Sequence, residues 1–152
     1  MRNFKSEIRF IEYMDVGESN KWDPSKVVSS ESLLESINEH YSLKQMKTET
    51  SSTAKKWHIK DSNSSIGLIS SITQPFCSSC NRARLSVDGK LFTCLFASNG
   101  FDIKSVIRSD EYEEKLLEFF KKIWMERSDQ YSQIRFTSKR DLPKVEMSYI
   151  GG

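Results

Sequence analysis

The dipeptide Asp88-Gly89 constrains this chain more than any other feature. It separates two short runs, Arg84–Val87 and Lys90–Phe92, and Asp-Gly is favoured in a two-residue type I′ hairpin because both turn residues need positive φ. With Val87 and Lys90 flanking the turn, the ladder is expected to pair Ser86 with Leu91, Leu85 with Phe92, Arg84 with Thr93 and Ala83 with Cys94. Cys94 then returns beside the segment that follows Cys80. The three cysteines of the chain, Cys77, Cys80 and Cys94, stand at C-x2-C-x13-C spacing, and this hairpin gathers them at one end of a ribbon.

Thiolates select zinc, copper(I) or iron–sulfur clusters. Structural zinc is almost always closed by four ligands, and neither His40 nor His58 has finger-like spacing to the cysteines. Three cysteines without an evident fourth partner suit a [4Fe–4S] cluster with one iron left open, although most clusters take four protein ligands. Three buried, reduced thiols packed as small hydrophobes are the bland alternative. Spacing alone leaves zinc, iron–sulfur and plain packing all open.

Arg82 and Arg84 lie two positions apart, so a strand would point both to one face. Paired guanidinium forks suit an anionic or hydrogen-bond-accepting ligand, while two solvated edge-strand charges are the plain reading. The expected register sets Cys94 on the face of Ala83, opposite both arginines. The ribbon would have to twist or break there for all five residues to share one pocket.

FCSSCNRARLSVDGKLFTCLF, Phe76 to Phe96, resembles the C-terminal cluster motif of the radical S-adenosylmethionine GTP 3′,8-cyclase family of molybdenum cofactor biosynthesis. RFIEYMDVG from Arg9, WDPSKVV from Trp22 and the terminal MSYIGG from Met147 agree with it. The resemblance implies an α/β fold: the last strand and helix of an incomplete (β/α) barrel over 1–40, then an antiparallel sheet with helices over 41–152. It implies that Cys77, Cys80 and Cys94 hold a [4Fe–4S] cluster whose open iron takes the guanine of GTP. Arg82, Ala83 and Arg84 would orient that nucleotide, and Met14 would contact S-adenosylmethionine. Gly151 and Gly152 would enter the active-site cavity, and Arg9 is a further pocket candidate. The family's first cluster uses C-x3-C-x2-C, which this sequence does not contain. The resemblance therefore covers a C-terminal half, expected to be inactive alone. The first cluster and S-adenosylmethionine belong to the complete enzyme, which is expected to be a homodimer, and a separately encoded N-terminal half is a conceivable partner. A standalone iron–sulfur or zinc module is the alternative.

The 152 residues are 37% hydrophobic with net charge +2, which gives no electrostatic case for nucleic acid or membrane partners. No apolar run approaches ~18 residues and no leader-like stretch precedes Arg2, so a reducing, cytoplasmic setting is expected. Ile8–Met14 reads as a strand buried on both sides, with Arg9 and Glu12 as paired charges or pocket groups. Ser30 reads as the N-cap of a helix carrying Leu33, Leu34 and Ile37, with His40 at its C-terminal end. A weak strand is expected at Leu43–Met46. Trp57–Ile59 and Ile66–Ile72 alternate as a hairpin that runs into Pro75 and the cysteines, and Ile69–Ser71 is close enough to line a nucleotide pocket. Asp102–Ile107 suggests a short helix. Ser109-Asp110 with Glu113 predicts a capped helix that buries Tyr112, Leu116, Phe119, Phe120, Ile123 and Trp124 as scaffold.

Overall fold

The computed structural model describes residues 5–136 and 143–150. Their contacts divide into two compact units: the described residues up to Met14 with Asp23–Cys80, and Asp15–Trp22 with the described residues from Asn81 onward. The expected α/β class holds. No helix among the described residues is long and apolar enough to cross a membrane.

The first unit is a four-stranded mixed sheet with one helix. Strand β1 (Glu7–Ile11) lies parallel to β4 (Ser65–Ile69), pairing Ile8 with Ile66 and Phe10 with Leu68. Strand β3 (Lys55–Ile59) is antiparallel to β4, and β2 (Leu43–Gln45) is antiparallel to β3, giving the order β1-β4-β3-β2. The expected hairpin is therefore present. Its turn places Asp61 at φ 57°, and the Ser62 hydroxyl donates to the Ile59 carbonyl at 2.9 Å. The period-two residues Ile66, Leu68, Ser70 and Ile72 are all buried, as the alternation predicted. Full burial of a side chain such as Ile66 or Leu68 contributes about 1.5–3 kcal/mol.

Strand β1 is shorter than expected and is not buried on both sides. Among the described residues it is an edge strand, hydrogen-bonded only to β4, and Ile11 remains 57% exposed. After Ile11 the Glu12 amide makes one more bond to the Ile69 carbonyl, and the Glu12 side chain then turns inward. Helix α1 (Ser30–Asn38) starts one residue earlier than predicted. Ser29 is the N-cap, its hydroxyl accepting from the Ser32 amide at 3.1 Å.

The second unit holds a three-stranded antiparallel sheet, β5 (Arg84–Leu85), β6 (Lys90–Phe92) and β7 (Phe101–Asp102), followed by α2 (Lys104–Ile107), α3 (Tyr112–Met125) and α4 (Tyr131–Ile134). Leu91, Phe92, Phe96, Ile103, Ile123 and Ile150 are its buried apolar residues.

The hairpin register differs from expectation by one residue. Leu85 pairs with Leu91 and Arg84 with Phe92, while the Ser86 amide bonds the Lys90 carbonyl at 2.9 Å. The loop is thus Val87-Asp88-Gly89, three residues long. Among the described residues only Gly89 of this turn has positive φ, at 82°, whereas type I′ needs two such residues. The Ser86 hydroxyl donates to Asp88 Oδ1 at 2.6 Å and the Gly89 amide to the Ser86 carbonyl at 3.0 Å. That is the three-residue loop with glycine in the left-handed position. Strand β7 was not anticipated; Asp102 ends it and accepts from the Lys104 amide at 3.0 Å, opening α2 in place of the longer predicted helix.

Helix α3 also departs from its reading. Its N-cap is Glu111, which makes no side-chain capping bond. The predicted stripe is not buried as a stripe: Ile123 is 7% exposed, but Tyr112, Phe120 and Trp124 are 46%, 37% and 41% exposed. The helical periodicity was right. Ile123 supplies the one buried side chain on this helix.

Candidate metal and nucleotide site

Cys77 opens a single 3-10 turn, Cys77–Ser79, closed by the Cys80 amide on the Cys77 carbonyl at 3.2 Å. The chain reaches this turn from β4, and Glu12 fixes the approach. The buried Glu12 carboxylate accepts from the Ile72 amide (2.8 Å), the Thr73 amide (2.9 Å) and the Thr73 hydroxyl (2.6 Å). Its other tie is the Ser30 amide at 2.7 Å, at the first turn of α1. Burial opposes ionisation, but the Thr73 hydroxyl and the three amides outweigh it and hold the carboxyl below its usual range. Glu12 is thus saturated by the fold. Arg9 ion-pairs with Glu7, which also takes Lys56 at 2.7 Å, and Met14 lies half-buried three residues past β1.

In the second unit, Arg82 and Ala83 are exposed and precede β5, and Arg84 is half-buried on it, directly opposite Phe92. The one-residue correction of register changes the parity of the ribbon. Arg84 now shares a face with Phe92, and continuing the count aligns Arg82 with Cys94, although the ladder itself stops at Arg84 and Phe92. The expected opposition of Cys94 to both arginines does not apply, because Arg82 precedes β5 and Cys94 lies in a bend past β6, where pleat alternation has ended.

Cys94 sits in a built bend. Its Sγ accepts from the Phe96 amide at 3.4 Å and its carbonyl from the Ala97 amide at 3.1 Å. The carbonyl of the residue before it, Thr93, accepts from Arg127 at 2.6 Å. All three cysteines are half-buried and outside any disulfide. In donor chemistry they fit a cluster or a soft metal. Cys77 and Cys80 belong to the first unit and Cys94 to the second, and among the described residues no group of three or more His, Cys, Asp or Glu side chains is assembled as a metal site. Gly151 and Gly152 lie outside the described residues.

Sequence reasoning missed a second buried carboxylate. Asp15 is 1% exposed and is held by the Tyr131 hydroxyl (2.7 Å), the Arg135 guanidinium (2.9 Å) and Lys144 Nζ (3.0 Å). Burial again opposes its charge, and these partners still bring the carboxyl below its usual range. Arg135 lies 5.2 Å from the Phe96 ring and 5.3 Å from that of Tyr131. Residues 143–150 carry further ties: Glu146 accepts from the amides of Glu18 (2.8 Å) and Ser19 (3.1 Å), and the Tyr149 hydroxyl donates to Asp88 at 2.6 Å. Gly17, at φ 68°, leaves the space Glu146 occupies, since a Cβ there would collide with its carboxylate. The readable signal was Asp15 itself, a carboxylate just after an apolar strand.

Comparison with known proteins agrees with these motifs. The family model described as Molybdenum Cofactor Synthesis C matches residues 6–133. A GTP 3′,8-cyclase of Staphylococcus aureus (strain JH9) is 46% identical over 151 residues, covering 96% of this chain and 44% of the relative. One of Synechococcus sp. (strain WH7803) is 40% identical over 146 residues, covering 96% of this chain and 41% of the relative. The chain thus spans less than half the length of these curated relatives. With the cysteine–arginine hairpin, the buried Glu12 and Asp15 anchors and a family match over most of its length, the chain belongs to the Molybdenum Cofactor Synthesis C family.

Proposed function

We propose that this chain is the cluster- and nucleotide-binding part of a GTP 3′,8-cyclase, whose complete form converts GTP to the cyclised precursor of molybdopterin by S-adenosylmethionine radical chemistry. Cys77, Cys80 and Cys94 would hold a [4Fe–4S] cluster, which supplies, when bound, an open iron for the purine. Arg82 and Arg84 donate to the nucleotide through their planar forks, and the exposed Ala83 offers its backbone between them. Met14 would reach S-adenosylmethionine, with Arg9, Gly151 and Gly152 as further pocket groups. Glu7–Ile11 with α1 would close the C-terminal end of an incomplete (β/α) barrel, and the complete enzyme would be a homodimer in the cytoplasm.

One observation carries this reading. Arg84 pairs with Phe92 at the open end of the hairpin, and the chain carries Arg82 just before that pair and Cys94 just after it, so one end of the ribbon can present nucleotide donors and a metal ligand together. The family match and the identity to two cyclases support the substrate. The sequence lacks C-x3-C-x2-C, so the chain alone starts no radical chemistry.

Anaerobic reconstitution with iron and sulfide tests the proposal. About four irons per chain and a brown chromophore, both lost on Cys94→Ser, are expected, followed by GTP binding that Arg82→Ala weakens. Zinc without sulfide, or iron uptake indifferent to Cys94, would refute it. GTP turnover by the isolated chain with S-adenosylmethionine and reductant would refute its predicted inactivity.

A further inference from the structure

Arg127 stands two residues past the end of α3, where a positive charge complements the helix dipole. Its guanidinium does something more specific. Nε donates to Asp129 Oδ2 at 3.1 Å, the guanidinium carbon lies 4.8 Å from the centroid of the Trp124 ring, and Nη2 donates to the Thr93 carbonyl at 2.6 Å. The side chain is 10% exposed. Two neighbours in sequence, Trp124 and Asp129, therefore hold the fork in one orientation, and its other arm meets a carbonyl 34 residues upstream.

That carbonyl belongs to the peptide joining Thr93 to Cys94. The peptide unit is planar and includes the Cys94 amide and Cα, so fixing its oxygen fixes the plane from which the Cys94 side chain departs. Thr93 is itself buried, at 6% exposure. Downstream, the Phe96 amide on Sγ and the Ala97 amide on the Cys94 carbonyl hold the other side of the bend. Cys94 is thus gripped on both sides, and Arg127 is the grip that comes from a distant element.

We infer that Arg127 is a positioning residue for Cys94, setting the thiol for ligation from the end of α3. This rests on the reading that Cys94 is a cluster ligand. It assigns to α3 a role beyond scaffolding: a displacement at its C-terminal end is passed through Arg127 to the peptide that carries Cys94.

The test uses the full 152-residue chain as wild type, Arg127→Gln and Arg127→Lys. Amide hydrogen exchange reads the grip without any metal. Arg127→Gln should speed exchange of the peptide spanning 93–97 on the order of tenfold, with the peptide spanning 65–80 unchanged. Arg127→Lys keeps one donor and the charge and should fall between. After anaerobic reconstitution, Arg127→Gln should hold less than about half the wild-type iron, or show an altered reduced-cluster electron paramagnetic resonance signal. Unchanged exchange at 93–97 would overturn the grip. Faster exchange with wild-type iron and spectra would overturn its role in ligation. No iron in the wild type overturns the cluster reading, and with it Arg127 as a ligand-positioning residue, while the exchange data still report whether the contact exists.

Discussion

The hydroxyl of Tyr149 donates to the Asp88 carboxylate at 2.6 Å, joining the last described turn of the chain to the tip of the cysteine–arginine hairpin. Asp88 takes a second hydroxyl from Ser86 at 2.6 Å. Led by Ser86 and then Tyr149, these bonds bring its pKa down to about 2, and the same contact raises that of Tyr149. Because the folded pKa lies below the unfolded value near ~3.9, the bond stabilises the fold fully above that value. The contribution is lost as pH falls through about 2. Tyr149→Phe should move the Asp88 carboxyl upward toward its ordinary range, read by carboxyl-carbon NMR titration. An unshifted Asp88 would show that Ser86 alone sets its acidity.

Gly89 is where the turn admits only one residue type without strain. Its φ is 82°, and a Cβ would stand 2.9 Å from Lys104 Cβ. Gly89→Ala should cost about 1–2 kcal/mol for the left-handed backbone alone, with an added term for displacing Lys104. Urea unfolding measures it. A loss below a few tenths would mean the loop refolds into another turn, with a changed register for Arg84.

Much of this was legible. The hairpin centred on Asp88-Gly89, the antiparallel pair β3–β4 (though β4 ends at Ile69, short of the expected Ile72) and the helical period of α3 follow from spacing and turn chemistry. The register did not. Asp-Gly is compatible with a two-residue turn and with a three-residue loop having glycine last, and the Ser86 hydroxyl bond to Asp88, which favours the second, is an interaction that pattern alone does not rank. Burial of α3 was over-read, because an apolar stripe specifies a face and not its partner. Strand β1 shows the same limit: its apolar character was legible, the exposure of its faces was not. Glu12 stood out as a charge within an apolar strand and Asp15 was missed, and their partners Thr73, Tyr131 and Arg135 lie 61 to 120 residues away in sequence.

Asp15 is held by both Arg135 and Lys144 in a buried setting. Removing one member of such a pair leaves the others desolvated, typically at a cost of about 3–5 kcal/mol. Asp15→Asn should therefore lower the melting temperature clearly. It should also flatten the acid limb, because the Asp15 carboxyl is held below its ordinary range and loses its contribution only as pH drops beneath the unfolded value. Melting temperature against pH from 7 down to 3 separates the variants. Parallel curves for wild type and Asp15→Asn would show that other carboxylates govern acid unfolding.

Glu12 offers the sharpest stability test, because every tie it makes is from a donor. Oε1 receives the Ser30 amide and the Thr73 hydroxyl; Oε2 receives the amides of Ile72 and Thr73. In Glu12→Gln one oxygen becomes an amide nitrogen, and whichever way the side chain turns, that nitrogen meets donors. The Thr73 hydroxyl can rotate to accept, but the amides cannot. Placing the nitrogen at the Oε1 position leaves the Ser30 amide without its acceptor, and placing it at Oε2 strands two amides. The cost should be roughly 2 kcal/mol, with the loss felt where β4 leads into the Cys77–Ser79 turn. Hydrogen exchange should show the amides of Ile72 and Thr73 losing protection before those of β3 and β4. If Glu12→Gln left both stability and that protection unchanged, the carboxylate would be a replaceable spacer and the approach to Cys77 would be held by the β1–β4 pairing alone.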